Sequence, residues 1–209
     1  MPSTSAARGK NPYSVHPSIA MVEKWVAELP AKTGRSVEQW IALVKKDGPK
    51  GHAERREWLK TKHGLGSNAA WWIADRVEGK GMEDTPDGYL KTAPKWVDAM
   101  YAGPKAALRP IHDELVRVGL SLAPDVKACP CQTIVPLFRN HVIAQIKPST
   151  RTRIDFGFAL GDTKATGRLI DTGGFKKKDR ITHRIEVASA KDIDAELKRW
   201  LRVAYDRDA

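Results

Sequence analysis

The chain has 209 residues, 41% of them hydrophobic and seven of them tryptophan, which suits one large or two small globular domains rather than a disordered chain. Its formal net charge of +11 and its pI of about 9.7 favour a polyanionic partner, although a merely basic globular protein has the same composition. No apolar run approaches the roughly 18–20 residues of a membrane span, so we predict no membrane partner and, by default, a cytoplasmic location.

The first part of the chain has the apolar spacing of helices. Residues 1–16 are small, polar and slightly basic, which predicts a disordered tail. From 17 to 80, apolar side chains recur every three or four residues, and we predict a small helical domain there. Ser36-Val-Glu-Gln39 has the sequence of a capping box, in which the serine and glutamine side chains each satisfy a backbone N–H group at a helix start.

A glycine turn in residues 62–73, in which Ala70 and Ile73 follow the glycines, has the spacing of a helix-hairpin-helix. Gly64 and Gly66 can adopt the positive φ that a tight reversal needs, and Leu65 can point back between the two helices. Free N–H groups at the start of the second helix of such a hairpin form an anion site, commonly for phosphate. The residues that we predict to bind phosphate are Lys60, Lys62, Gly64, Leu65, Gly66, Ser67 and Asn68.

The second part of the chain changes character after a segment rich in Gly, Pro and charge, residues 81–95, which we predict to be a linker. Residues 96–209 predict an α+β domain: a long helix, four or five short strands and a final helix. We therefore predict the α+β class for the whole chain, with an N-terminal helical bundle and a C-terminal antiparallel sheet covered by helices.

Basic and polar residues alternate with apolar ones along the predicted strands. If these residues share one face of the sheet, they form a patch that binds anions; an ordinary solvated face is an equally supported alternative. The predicted members of this face are Arg139, Gln145, Lys147, Arg151, Arg153, Asp155, His183 and Arg184. A further run, Lys176-Lys-Lys178 with Arg180, lies in a loop that begins at Gly173-Gly174.

Catalysis is the less favoured interpretation. Asp155 and His183 would make an acid–base pair if they met across the sheet. No nucleophile elbow, P-loop or paired-carboxylate motif accompanies them, and Cys129 and Cys131 lack the further ligands of a zinc site. We expect a non-catalytic protein without a cofactor or a metal.

Particular segments also resemble known families. The first half resembles a small bacterial helical domain of unknown function, on Thr33-Gly-Arg-Ser-Val-Glu-Gln-Trp-Ile-Ala-Leu-Val-Lys45 and Trp58-Leu-Lys-Thr-Lys-His-Gly-Leu-Gly66. The second half resembles another domain of unknown function, sometimes labelled a predicted transport protein, on the segments Tyr101–Ile111, Ile146–Gly157, Thr182–Ile185 and Glu196–Tyr205. Together the two resemblances cover about residues 17–206 and imply a two-domain family.

These resemblances imply little about function. The transport label has no support here, because the sequence has no membrane span, while domains of the second kind occur fused to nuclease-like domains in other chains. By analogy, this favours a nucleic-acid setting. We therefore expect a protein that contacts the phosphate backbone of DNA or RNA without reading sequence. The alternative is a module that binds an anionic small molecule or an acidic protein on the polar face of the sheet.

Overall fold

The computed structural model describes residues 11–209, which divide into two compact units. The helical unit comprises residues 15–91, and the α+β unit comprises residues 92–209 together with residues 11–14. Most of the tail predicted at 1–16, residues 1–10, lies outside the described residues. The described part of it differs from the prediction, because Tyr13 is buried and the Ser14 N–H group donates to the Ala128 carbonyl at 2.9 Å.

The helical unit contains four helices: α1 (Ser18–Thr33), α2 (Val37–Asp47), α3 (His52–His63) and α4 (Ser67–Val77). The predicted capping box is present at α2, where Ser36 Oγ accepts from Gln39 N–H and Gln39 Oε1 accepts from Ser36 N–H at 2.8 Å. Apolar side chains from all four helices form one core. Its buried members include Leu29, Trp40, Val44, Leu59, Leu65, Ala70 and Ile73.

The structure has a helix where the sequence analysis expected a linker. Helix α5 (Pro86–Met100) covers most of residues 81–95. Pro86 is tolerated because a residue in the first turn has no intrahelical partner for its N–H group. Tyr89, Ala93 and Val97 are buried at four-residue spacing, so the helical periodicity was present but masked by the glycine and proline content.

Two more helices and a six-stranded sheet make up the rest of the α+β unit. Helix α6 (Arg109–Leu120) precedes the sheet and α7 (Ala195–Asp206) follows it. The sheet is antiparallel throughout, in the order β1-β2-β3-β4-β6-β5, so it exceeds the four or five strands expected. The strands are β1 (Lys127–Ala128), β2 (Val135–Phe138), β3 (Val142–Lys147), β4 (Ile154–Phe158), β5 (Ile170–Asp171) and β6 (His183–Val187). Two of these strands have only two residues each, which is too short to show an alternating pattern.

The strand register defines two faces of this sheet. Ile146, Phe156 and Ile185 are aligned across β3, β4 and β6 and are fully buried on the core face, which α6 and α7 cover. Gly119 lets α6 approach closely, since a Cβ atom there would lie 2.5 Å from Leu137 Cδ1. The alternate residues form the polar face: Gln145, Lys147, Asp155, Arg184 and Glu186.

Within residues 11–209, no helix combines the length and the apolar character needed to cross a bilayer.

Candidate anion-binding sites

The glycine turn of the helical unit joins α3 to α4 as a tight hairpin. Gly64 has a φ of 69° and ends α3, and its N–H group donates to the Lys60 carbonyl at 3.1 Å. Leu65 N–H donates to the Leu59 carbonyl at 3.1 Å, and the Leu65 side chain is buried in the core of the unit. A side chain at position 64 would be strained by this φ, which explains the glycine.

Unused backbone donors lie at the start of α4. Its N-cap residue is Gly66, which has no side chain to accept from the first turn. Among the hydrogen bonds of residues 11–209, none uses the N–H groups of Gly66, Ser67, Asn68 or Ala69, whereas Ala70 N–H donates to the Gly66 carbonyl. Ser67 and Asn68 are exposed, so these donors can reach a ligand.

The two lysines predicted beside this turn both contact other side chains, and one of them is paired with a carboxylate. Lys60 Nζ forms an ion pair with Glu57 at 3.2 Å, and Lys62 Nζ lies over the Trp58 ring, 5.6 Å from its centroid. The surrounding unit is close to neutral, since residues 15–91 carry 13 Lys and Arg against 11 Asp and Glu. In residues 92–209 the corresponding numbers are 21 and 14. The excess positive charge therefore belongs mainly to the α+β unit.

The polar face of the sheet carries an ion-paired cluster formed by Arg153, Asp155, Arg184 and Glu186. Arg153 lies 3.0 Å from Asp155 Oδ1 and 2.9 Å from Glu186 Oε1, measured from its Nε and Nη1 atoms. Arg184 Nη1 lies 2.8 and 3.1 Å from the same two oxygens. Asp155 also accepts from the Ser149 hydroxyl at 2.7 Å. Two arginines thus face two carboxylates, and the cluster has no net charge to offer an anion.

A basic groove lies beside this cluster. It has a volume of about 580 Å³, and it runs between residues 99–105, the start of β2 and the segment that follows β3. Its polar lining residues are Lys105, Gln132, Thr133, Lys147, Ser149 and Arg151. The lining contains no Asp or Glu, and none of its three cations forms an ion pair within residues 11–209. Lys105 Nζ is fixed by a 2.6 Å hydrogen bond to the Pro148 carbonyl.

Two residues of the predicted anion-binding face lie elsewhere. His183 is opposite Phe158 on the core face, is 1% exposed, and has its Nδ1 atom 2.8 Å from Thr182 Oγ1. Since Asp155 is opposite Glu186 on the polar face, the two cannot form the acid–base pair considered above. Arg139 pairs with Asp125 at 3.2 Å and stacks on a tyrosine ring at 4.2 Å.

A buried polar cluster in the α+β unit joins Tyr13 to His112 and Tyr101. Tyr13 Oη lies 3.3 Å from His112 Nε2, and Tyr101 Oη lies 3.1 Å from His112 Nδ1. Burial lowers the pKa of His112 to about 3 and raises that of Tyr13 to about 12. These groups therefore stay neutral at physiological pH. 

The two cysteines are poor candidates for chemistry. Burial raises the pKa of the Cys129 thiol to about 12 and also raises that of Cys131, so little thiolate forms at neutral pH. In the described residues, no group of three or more His, Cys, Asp or Glu side chains is placed to hold a metal ion.

Residues 97–208 match the family model described as a domain of unknown function (DUF5655). The chain belongs to this family. Residues 22–79 match a second model, also described as a domain of unknown function (DUF4287), so the two matches fit a two-domain protein of unknown function. No curated protein and no solved structure matches the chain.

The groove joins two of the segments on which the family resemblance rests. Lys105 comes from Tyr101–Ile111, whereas Lys147 and Arg151 come from Ile146–Gly157. Lys147 and Arg151 were predicted from the sequence, whereas Lys105 is far from them in the chain and has no local signal for binding. Glu186 was not predicted either, although its alternation with Ile185 and Val187 places it on the polar face.

Proposed function

We propose that this protein binds nucleic acid through backbone phosphates, without sequence specificity, and that the basic groove provides the main contact. The observation that carries this proposal is the convergence of Lys105, Lys147 and Arg151 on one concave surface that has no carboxylate. Such cations attract polyanions and release the counterions condensed on them.

The neighbouring arginines explain why the groove, rather than the whole polar face, is proposed. Arg153 and Arg184 are already held by Asp155 and Glu186, and a phosphate would have to compete with both carboxylates. Lys147 and Arg151 face no such competition and are exposed. Contacts of this kind position a backbone and carry no base information.

The start of α4 supplies a second contact of the same chemistry. Its unused N–H groups at residues 66–69 favour an anion, and the helix dipole adds partial positive charge there. The near-neutral charge of the helical unit makes this contact the weaker of the two.

Fluorescence anisotropy tests the proposal with a labelled duplex and a labelled oligothymidylate of the same length, each titrated with protein at two salt concentrations. If the three groove cations each contact one duplex phosphate, log Kd should rise by about 2.7 per log unit of salt. Binding that does not change with salt, or no binding to either probe at low salt, would overturn the proposal.

A matched pair of variants locates the site. Lys147→Glu/Arg151→Glu reverses two groove charges and should weaken binding tenfold or more, on the order of 0.7 kcal/mol per reversed charge. Lys45→Glu/Lys46→Glu reverses two exposed charges on α2 and should change affinity much less. Equal losses in both variants would attribute binding to net charge rather than to the groove.

A second candidate function is the binding of a small anionic molecule in the same groove. Its volume of about 580 Å³ is in the usual range of small-molecule sites, roughly 300–1,000 Å³. Thermal shift with inorganic pyrophosphate separates the two. Stabilisation that is lost in Lys147→Glu/Arg151→Glu, in a protein that binds neither oligonucleotide, would favour this candidate.

A further inference from the structure

We propose that the loop at residues 172–182 binds single-stranded nucleic acid, with Phe175 stacking on a base and nearby cations contacting the phosphates. This inference rests on the nucleic-acid binding proposed above. It adds a second site in the α+β unit, which would select single-stranded over double-stranded nucleic acid. The site is separate from the basic groove, and no lining residue is shared between them.

The loop is held in one conformation by its own backbone. At its base, Thr172 donates to the Thr182 carbonyl twice, from N–H at 3.0 Å and from Oγ1 at 2.8 Å. At its tip, the Gly174 carbonyl accepts from the N–H groups of Lys177 at 3.0 Å and Asp179 at 2.9 Å. A ligand would therefore meet a preformed surface, which lowers the entropy lost on binding.

This conformation places an aromatic ring at the surface. The Phe175 side chain is 55% exposed, and it lines a cavity of about 680 Å³. Burial of such a ring is worth about 1.5–3 kcal/mol. Phe175 gains only part of this, because more than half of it is exposed, so its ring is available to stack on a ligand.

Positive charge surrounds the ring. The charged side chains that line the cavity are Lys176, Lys178, Asp179, Arg180 and Arg207. Arg180 also pairs with Asp208, and Arg207 lies 3.5 Å from Asp162. Within residues 11–209, Lys176 and Lys178 form no ion pair, so they are the cations that a phosphate would meet first.

An aromatic ring among free cations is the combination that single-stranded nucleic acid requires. The bases of a duplex are stacked on one another, and a side chain reaches their faces only when the strand is single. An anionic membrane surface suits the charges but not the shape. Phe175 is part of a cavity wall, and a bilayer needs apolar groups that protrude into it.

Three variants of the full chain, each titrated with the oligothymidylate and with the duplex, test the loop. Phe175→Ala should weaken oligothymidylate binding about fivefold or more and leave duplex binding nearly unchanged, because only the single strand offers a base face. Phe175→Trp should keep the affinity, because it keeps an aromatic face. Lys178→Gly removes one cation and is tolerated by the backbone, since Lys178 has a φ of 60°; it should weaken binding to the oligothymidylate about twofold.

The controls separate this inference from the proposed function. Trp71→Ala removes another exposed aromatic ring, 48% exposed, from the helical unit, and should leave the preference for single strands unchanged. If wild type binds both probes but Phe175→Ala weakens neither, or weakens both equally, the loop assignment is wrong while the proposed function stands. If Phe175→Ala lowers binding to phosphatidylserine vesicles and not to the oligothymidylate, the loop is a membrane contact and the inference is overturned.

Discussion

The ion-paired cluster and the basic groove are adjacent, and they use the same residue types in opposite ways. Arg151 lies in the groove and Arg153 belongs to the cluster, although only one residue separates them. Arg153 faces two carboxylates within 3.0 Å, whereas Arg151 forms no ion pair within residues 11–209. The number of basic residues in a sequence therefore overestimates the charge that a partner can use.

Paired and unpaired charged groups should also differ in what they affect, stability or binding. Groups whose partners lie inside the fold should affect mainly the free energy of unfolding when they are changed. Groups without partners should affect mainly the affinity for an anion.

The most deeply buried polar group should show its effect in the pH dependence of stability. The folded chain holds the pKa of His112 at about 3, from an ordinary value of 6.5. Below pH 6.5 the unfolded chain binds a proton that the folded chain does not. The free energy of unfolding therefore decreases as the pH is lowered, by about 2 kcal/mol from pH 7 to pH 5. Urea unfolding at the two pH values, compared between wild type and His112→Gln, measures this.

The glutamine variant cannot take up that proton, while the other histidines titrate alike in both proteins. Its stability at pH 7 should be lower than that of wild type, and its loss between pH 7 and pH 5 should be smaller by about 2 kcal/mol. Equal losses would mean that His112 is protonated in the folded chain.

The ion-paired cluster should matter for stability. Asp155→Ala removes one of the two carboxylates that pair with the arginines and the acceptor of the Ser149 hydroxyl, and should lower the free energy of unfolding by roughly 1–2 kcal/mol. Lys147→Ala, in the groove, should change it by less than about 0.5 kcal/mol. Urea unfolding checks both, and a greater loss for Lys147→Ala would reverse the division.

Removing a carboxylate from the cluster should also create a binding charge. Glu186→Gln leaves Arg153 and Arg184 with only Asp155, and should tighten duplex binding at low salt about two- to threefold. Glu23→Gln makes the same change of net charge on the exposed surface of α1 and should have little effect. Anisotropy titrations of the two variants decide whether pairing or total charge governs affinity.

The smallest effect is expected at the glycine turn of the helical unit. Asn68→Asp places a negative charge among the unused N–H groups of α4, so it should weaken duplex binding about twofold while slightly stabilising the helix. Ala53→Asp makes the same change at the second residue of α3 and should not alter affinity. No difference between the two variants in anisotropy would remove the turn from the proposed site.

The features that sequence analysis predicted well are those determined locally. The capping box at Ser36, the glycine turn at Gly64 and the alternation along β3 each depend on residues a few positions apart. The position of His183 was open to the same reasoning, because its alternation with Ile185 and Val187 places it on the core face.

The remaining features depend on contacts between distant residues. Arg153 reaches Glu186 because of the β4–β6 register. Lys105 contacts the segment after β3 through its hydrogen bond to the Pro148 carbonyl. Neither is visible in a local pattern. The exposure of Phe175 is similar, since its sequence neighbours do not determine whether a ring is buried.

The carboxylate of Asp208 has a consequence for measuring local opening of the fold. It accepts from His141 N–H at 2.8 Å across 67 residues of sequence, and this amide lies in the exposed turn between β2 and β3. An amide in such a turn would otherwise exchange quickly with deuterium, so its protection factor reports how often the segment after α7 detaches. A single amide resonance thus reports on whether the C-terminal segment stays docked against the turn between β2 and β3.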